Sequence, residues 1–98
     1  MTIRQSLPND LSLYRKRMGL TQTQVAKLLG SKTHKSVGRM EMGKASPSLR
    51  TALKLAALYR APVDFLFRQL YMQLRDEIRI KEQQLKSVDA NVQGVQIV

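Results

Sequence analysis

The sequence predicts an all-α fold, and three observations support this prediction. Apolar residues recur three and four positions apart, as at Leu11, Tyr14 and Met18, which is the period of an amphipathic helix. Helix start signals precede such stretches, most clearly where Thr21 is followed three residues later by Gln24. Glycines and prolines separate most of the stretches and mark the turns between helices. We expect a five-helix domain whose last helix extends toward the C-terminus.

Length and composition limit the class of protein. The chain has 98 residues, of which 43% are hydrophobic, so it is large enough for one globular domain with a modest core. No apolar run approaches the roughly 20 residues that a membrane span needs, and no apolar signal core follows Met1. The chain has no cysteine, which is typical of a reducing compartment. We therefore expect a cytoplasmic protein without a membrane partner.

Capping residues and glycines give approximate bounds for the helices. Pro8, Asn9 and Asp10 supply start signals for the first helix, and Gly19 ends it. Thr33 is the expected N-cap of the third helix. The predicted helices are helix 1 over about 9–18, helix 2 between Thr21 and Gly30, helix 3 over about 34–42, helix 4 over about 48–60, and helix 5 from Pro62 to about residue 86.

Apolar residues on each helix predict the side that faces the core. The expected core-facing residues are Val25, Leu28 and Leu29 in helix 2, Val37 and Met40 in helix 3, and Leu49, Ala52, Leu53, Ala56 and Ala57 in helix 4. Gly38 lies inside helix 3, where glycine costs roughly 1 kcal/mol relative to alanine. Two interpretations of Gly38 stay open: close approach of another backbone or of a ligand, or an exposed position with weak demands.

The positive charge is confined to one part of the chain. The formal net charge is +10, and residues 11–60 carry eleven lysines and arginines but a single acid, Glu41. Positive and negative residues cancel in residues 1–10 and again in residues 61–98. A solvated basic surface is one interpretation of this excess. A positive field restricted to one segment is better explained by a polyanionic partner.

The order of residues over this segment matches a known family. The matching elements are Leu11 and Arg15, Gly19-Leu20-Thr21-Gln22, Val25-Ala26 with Leu29-Gly30, Val37 with Met40-Glu41-Met42-Gly43, Pro47-Ser48-Leu49, Leu53 with Leu55-Ala56, and Val63-Asp64 with Leu66. With these elements, residues 11–67 resemble the Cro/C1-type (XRE-like) helix-turn-helix domain of phage repressors and bacterial regulators. The resemblance implies a five-helix lambda-repressor-like fold. One residue more than usual separates Ala26 from Glu41, most simply placed at Ser31-Lys32.

The resemblance implies that the start of helix 3 enters the major groove of DNA and contacts bases. Arg39 suits this role because its planar fork can donate two hydrogen bonds to guanine N7 and O6. Gln22 is expected to anchor a phosphate at the start of helix 2, and residues in the flanking loops suit further phosphates. The predicted DNA-binding residues are Gln22, Lys32, Thr33, His34, Lys35, Ser36, Gly38, Arg39, Lys44 and Ser46.

Glu41 is expected to have a structural role. In the family that the chain resembles, this acid forms an ion pair with the arginine that matches Arg15. We therefore predict that an Arg15–Glu41 pair ties helix 1 to the end of helix 3, with no part in catalysis. Removing either partner of a deeply buried pair costs as much as roughly 3–5 kcal/mol.

The segment beyond the family match carries an apolar stripe. Its members, at heptad-like spacing, are Phe67, Tyr71, Leu74, Ile78 and Leu85. The stripe is interpreted either as a dimer seam or as a face that folds back onto the protein's own core. The predicted organisation is a helix-turn-helix domain over 1–67, a helical extension over 68–88 that is a candidate for dimerisation, and a flexible tail over 89–98.

Two functions compete. The first is a sequence-specific regulator of transcription, most simply a repressor, that binds double-stranded DNA at the nucleoid as a homodimer. The second is an antitoxin or protein-bridging module that binds a protein partner, such as a toxin, through residues 65–98. An enzyme is not expected, because the chain has one histidine, no glycine-rich phosphate loop and no paired carboxylates except Asp76-Glu77. No catalytic residue, metal or cofactor is predicted.

Overall fold

The structure is a computed structural model that describes residues 7–91, with side chains described up to residue 87. Over this range the chain forms six helices and no strand, which confirms the predicted all-α class. The helices are α1 (Leu11–Arg17), α2 (Gln22–Leu29), α3 (Lys35–Glu41), α4 (Leu49–Tyr59), α5 (Val63–Leu66) and α6 (Arg68–Asn91). No helix within the described range is long and apolar enough to cross a membrane.

One hydrophobic core joins α1 to α5. Its buried residues all lie between positions 11 and 67: Leu11, Val25, Ala26, Leu29, Val37, Met40, Leu55, Tyr59, Leu66 and Phe67. Leu11, Leu55 and Leu66 are among the largest fully buried side chains. Burying one such leucine contributes roughly 1.5–3 kcal/mol. The short helices are therefore held mainly by this shared core.

Caps fix the starts of α2 and α4. The Thr21 hydroxyl accepts a hydrogen bond from the Gln24 backbone N–H at 3.1 Å, and the Thr21 N–H donates to Gln24 Oε1 at 2.8 Å. This reciprocal pair is a capping box. Gly30 ends α2 in the left-handed conformation, with φ of +78°. Ser48 caps α4 by accepting from the Thr51 N–H at 3.2 Å.

Asn9 connects the start of α1 to the end of α3. Its Oδ1 accepts from the Leu11 N–H at 3.0 Å, which caps the first turn. Its Nδ2 donates to the carbonyl oxygens of Leu7 and Met40, both at 3.0 Å. The side chain thus satisfies backbone groups of two helices, a role that the start signal in the sequence did not reveal.

The predicted N-cap of α3 is wrong. The helix begins at Lys35, and His34 precedes it with helical dihedrals and no side-chain cap. Thr33 contributes its carbonyl oxygen instead, which accepts from the hydroxyls of Ser31 at 3.3 Å and Ser36 at 3.2 Å. Those two hydroxyls are 2.8 Å apart. The turn with the additional residue is therefore closed by hydroxyl groups, and α3 starts one residue later than predicted.

The predicted fifth helix is divided in two. The chain bends at Phe67, where φ is −123° and ψ is 47°, because the Phe67 side chain turns into the core and is only 7% exposed. Phe67 therefore does not belong to a dimer seam. Beyond the bend, α6 continues to Asn91, so residues 89–91 of the predicted tail are helical. Residues 92–98 of that tail lie outside the described residues.

Three leucines expected in the core face outward. They are Leu28, Leu49 and Leu53, which are 60%, 75% and 54% exposed. Ala52 is buried as expected, and Leu55 and Tyr59 complete the buried side of α4. Both sides of α4 have helical spacing, so the period alone did not distinguish them. The side of α4 that is buried contains Tyr59, whose ring stacks on the ring of Tyr14 with the two centroids 6.1 Å apart.

Candidate nucleic-acid interface

The start of α3 presents a basic, polar surface. Val37 and Met40 are buried under the helix and fix its orientation on the core. His34, Lys35 and Arg39 lie on the outer side and are exposed. Because these two buried side chains hold α3 against the core, the side chains on its outer side project from a fixed backbone.

The predicted DNA-binding residues are distributed over α3 and the segments around it. Exposed members are Lys32, Thr33, His34, Lys35, Arg39, Lys44 and Ser46, whereas Gln22, Ser36 and Gly38 are half-buried. Ser36 is one of the predicted DNA-binding residues, but its hydroxyl is engaged in the turn before α3. Arg39, Ser36 and Ser46 line one cleft of about 410 Å³ between that turn and the loop before α4.

Arg15 and Glu41 lie in direct contact. Arg15 Nε donates to Glu41 Oε2 at 2.6 Å, and Arg15 Nη2 donates to Oε1 at 3.2 Å. The two side chains are only 14% and 6% exposed. Arg15 also donates from Nη1 to the carbonyl oxygen of Leu20 at 2.9 Å. A bidentate, charge-assisted pair with little exposure is among the stronger polar contacts in a protein.

The hydrogen bonds from Arg15 to Glu41 raise the pKa of the Arg15 guanidinium above its ordinary value, against the opposing effect of burial. Arg15 therefore keeps its positive charge beside the Glu41 carboxylate. Because Arg15 belongs to α1 and Glu41 ends α3, the pair fixes α3 relative to the rest of the domain. Its role is structural.

Gln22 also contacts the Arg15–Glu41 pair, and this contact was not predicted from the sequence. Its Nε2 donates to Glu41 Oε1 at 3.0 Å. Glu41 thus accepts from both Arg15 and Gln22, and links α1, α2 and α3. A polar residue at the first position of α2 and the single acid of residues 11–60 were visible in the sequence. Their proximity depends on how α2 crosses α3, which spacing along the chain does not encode.

Two further side chains of the basic segment are structural. Lys54 Nζ donates to the carbonyl oxygen of Leu29 at 3.0 Å, at the C-terminal end of α2 where a positive charge is favourable. Tyr59 has a buried hydroxyl without a hydrogen-bond partner. Burial, followed by the nearby charge of Glu41, raises the pKa of Tyr59 to about 12.

The chemistry of the surface is that of anion and base recognition. Within residues 7–87, no group of three or more His, Cys, Asp and Glu side chains is arranged to hold a metal ion. Exposed lysine and arginine side chains at the start of α3 suit phosphates and guanine edges. Two short helices, the second presenting its basic first turns outward, define the helix-turn-helix class of domain.

The comparisons agree with this geometry. The family model described as "Helix-turn-helix" (HTH_3) matches residues 11–66, more than half of the chain. The chain therefore belongs to the helix-turn-helix family of the Cro/C1 (XRE-like) type. It is also 37% identical over 54 residues, 55% of this chain and 76% of the relative, to an "Uncharacterized HTH-type transcriptional regulator" of Archaeoglobus fulgidus. Both comparisons support a DNA-binding regulator, and the family match covers α1 to α5 without α6.

Proposed function

We propose that this protein is a sequence-specific regulator of transcription that binds double-stranded DNA and represses by occupying its operator. The observation that carries the proposal is the exposed basic start of α3, which is held rigidly by Val37, Met40 and the Arg15–Glu41 pair. All of the net charge of +10 lies on the segment that contains this surface. A rigid, positive helix start is suited to the major groove.

The side chains divide into those that read bases and those that contact phosphates. Arg39 is proposed to donate two hydrogen bonds to a guanine, and Lys35 to contact the neighbouring base or its phosphate. His34 is proposed to contact a base or a phosphate at the first turn of α3. Lys32 and Lys44 lie on either side of α3 and suit phosphates, which fix the register of the protein on the duplex.

Helix α6 is proposed to form a homodimer. Phe67 belongs to the core, and the other residues of the stripe are half-exposed: Tyr71, Leu74, Ile78 and Leu85 are 47%, 48%, 56% and 51% exposed. Burying such side chains against a second copy removes apolar area from water. A two-fold dimer would place two α3 helices on half-sites about 34–36 Å apart.

A second candidate function uses the same region without DNA. A groove of about 620 Å³ lies between α4, α5 and the first turns of α6, and its walls include Val63, Phe67, Leu70 and Leu74. Phe65 is 53% exposed nearby on α5. These features favour a protein partner, such as the toxin of an antitoxin pair. A small protein recovered in stoichiometric amount, and lost when Leu74 and Ile78 are replaced by serine, would support this alternative.

The proposed function is tested by selecting bound fragments from random double-stranded DNA. We expect a palindromic consensus whose half-sites are about one helical turn apart. Binding to it should weaken steeply with salt because several phosphate contacts release counterions. Absence of any enriched sequence, together with tight binding to a protein, would overturn the proposal in favour of the second candidate.

A further inference from the structure

We propose that Gln22, although it belongs to the positioning helix α2, reads an adenine directly beside the base contacted by Arg39. This inference rests on the proposed function, because it assumes that α3 lies in the major groove. It gives Gln22 a role other than phosphate anchoring. It also gives Gly38 a reason to be glycine, since a side chain there would lie over the Gln22 amide.

The first observation is the position of the Gln22 amide. A Cβ atom added at Gly38 would lie 3.5 Å from Gln22 Oε1 and 3.6 Å from Gln22 Nε2. Gly38 occurs one turn after Lys35 and directly before Arg39, and it is half-buried where α3 approaches Gln22 of α2. The amide of Gln22 therefore lies beside α3 at Gly38, and a methyl group at position 38 would be in van der Waals contact with it.

The second observation is that this amide has a fixed orientation. Gln22 Nε2 donates to Glu41 Oε1 at 3.0 Å. An ionised carboxylate only accepts hydrogen bonds, so the nitrogen end of the amide must face Glu41. Glu41 is itself held by two hydrogen bonds from Arg15. The Gln22 amide is thus oriented before any ligand arrives, which lowers the entropy cost of binding.

The groups that remain on the amide match a base better than a phosphate. After the bond to Glu41, Gln22 retains one N–H donor and the acceptor Oε1. Adenine presents a donor and an acceptor side by side, N6–H and N7, and glutamine is a preferred partner for that edge. A phosphate has no donor for Oε1.

The experiment compares four proteins in the random-DNA selection: the parent, Gln22→Ala, Gly38→Ala, and Thr23→Ala as a control on the exposed surface of α2. We expect the parent and Thr23→Ala to select an adenine at one position in each half-site. Gln22→Ala should lose that preference, with an affinity for the selected duplex lower by about tenfold. Gly38→Ala should lose it too, because the added methyl group lies over the amide.

Gly38→Ala keeps the test independent of folding. The contacts of its methyl group would be at ordinary van der Waals distances, and alanine favours a helix more than glycine does. Its melting temperature should equal or exceed that of the parent. A loss of base preference in this variant is therefore an effect on recognition.

A chemical change in the DNA tests the proposed contact between Gln22 and adenine N7 directly. Replacing the selected adenine by 7-deazaadenine removes N7, and should weaken the parent by about tenfold while leaving Gln22→Ala unaffected. The inference is overturned if Gln22→Ala weakens all duplexes equally and leaves the base preference unchanged, which is the signature of a phosphate contact. It is also overturned if both variants keep the parent's preferences. If the parent itself selects no sequence, the proposed function fails.

Discussion

The domain formed by α1 to α5 and the helix α6 use charged side chains in different environments. In the domain, Arg15 and Glu41 meet at 2.6 Å with side chains 14% and 6% exposed. On α6, Arg75 and Asp76 meet at 3.1 Å, but their side chains are 38% and 64% exposed. The first pair has lost most of its water and fixes three helices, whereas water competes strongly for the second.

Apolar side chains show the same contrast. The buried core ends at Phe67, and among the described side chains of α6, residues 68–87, only Leu70 packs partly against it. Farther along α6, Leu74, Ile78 and Leu85 are about half exposed. The core is therefore formed almost entirely by side chains that precede α6. The exposed stripe of α6 is then available for another chain, which is the basis for the proposed dimer.

The largest expected effect contrasts the two ion pairs. Glu41→Ala should lower the free energy of unfolding by about 3 kcal/mol, because it leaves Arg15 charged and little exposed and also removes the acceptor of Gln22. Asp76→Ala, the matched change on α6, should alter it by less than about 0.5 kcal/mol. Urea denaturation followed by circular dichroism measures both. Equal losses for the two variants would contradict the comparison.

The next effect concerns alkaline pH. The pKa of Tyr59 is raised from 10.0 to about 12 in the folded protein. The folded state therefore holds this proton more tightly than the unfolded state, and the resulting stability is complete below pH 10. It should be lost as the pH rises from 10 to 12, by about 2 kcal/mol.

Tyr59→Phe separates this effect from the titration of other groups. The variant should lose less stability between pH 10 and 12 than the parent, as measured by urea denaturation at each pH. Near neutral pH it should be at least as stable, because the Tyr59 hydroxyl is buried without a partner. Tyr14→Phe is the control. An identical alkaline decline in the parent and in Tyr59→Phe would show that Tyr59 is not the responsible group.

A smaller effect is expected in the turn between α2 and α3. Ser36→Ala removes a hydroxyl that contacts both Ser31 and the Thr33 carbonyl, and should lower stability by about 1 kcal/mol. Thr33→Ala should change it by less than about 0.5 kcal/mol, because only the backbone of Thr33 is used. The melting temperatures of both variants test this order. The reverse order would restore Thr33 as the cap of α3.

The smallest effect on stability is expected in α6. Replacing Leu74 and Ile78 by serine should change the unfolding free energy of the monomer by less than about 0.5 kcal/mol, because both side chains are already half-exposed. Sedimentation equilibrium should show that the same variant has lost its dimer. A large loss of monomer stability would mean that the stripe folds onto the protein's own core, and a monomeric parent at high micromolar concentration would contradict the dimer itself.

Local signals predicted much of the fold. The capping box of Thr21 and Gln24 depends on residues three positions apart, and it occurs where the sequence indicated. The break at Phe67 could not be predicted in this way. It has no glycine or proline, and arises because burying one aromatic ring redirects the chain.

The sequence predicted which residues belong to the candidate site, but not all of the contacts between them. The resemblance supplied Arg15 with Glu41, and the helical period placed Lys35 and Arg39 on one side of α3. The contacts of Asn9 with α3 and of Gln22 with Glu41 join residues 19 or more positions apart. Contacts of that kind follow from how helices cross, so they become visible only in three dimensions.

The central claim is that the start of α3 recognises DNA, and the most direct test measures the binding of matched arginine variants to the selected duplex. Fluorescence anisotropy should show that Arg39→Ala weakens binding by about tenfold or more and relaxes the preference for one guanine. Arg79→Ala, which removes the same charge from α6, should bind like the parent. Equal affinities for Arg39→Ala and the parent, with the guanine preference intact, would contradict the claim.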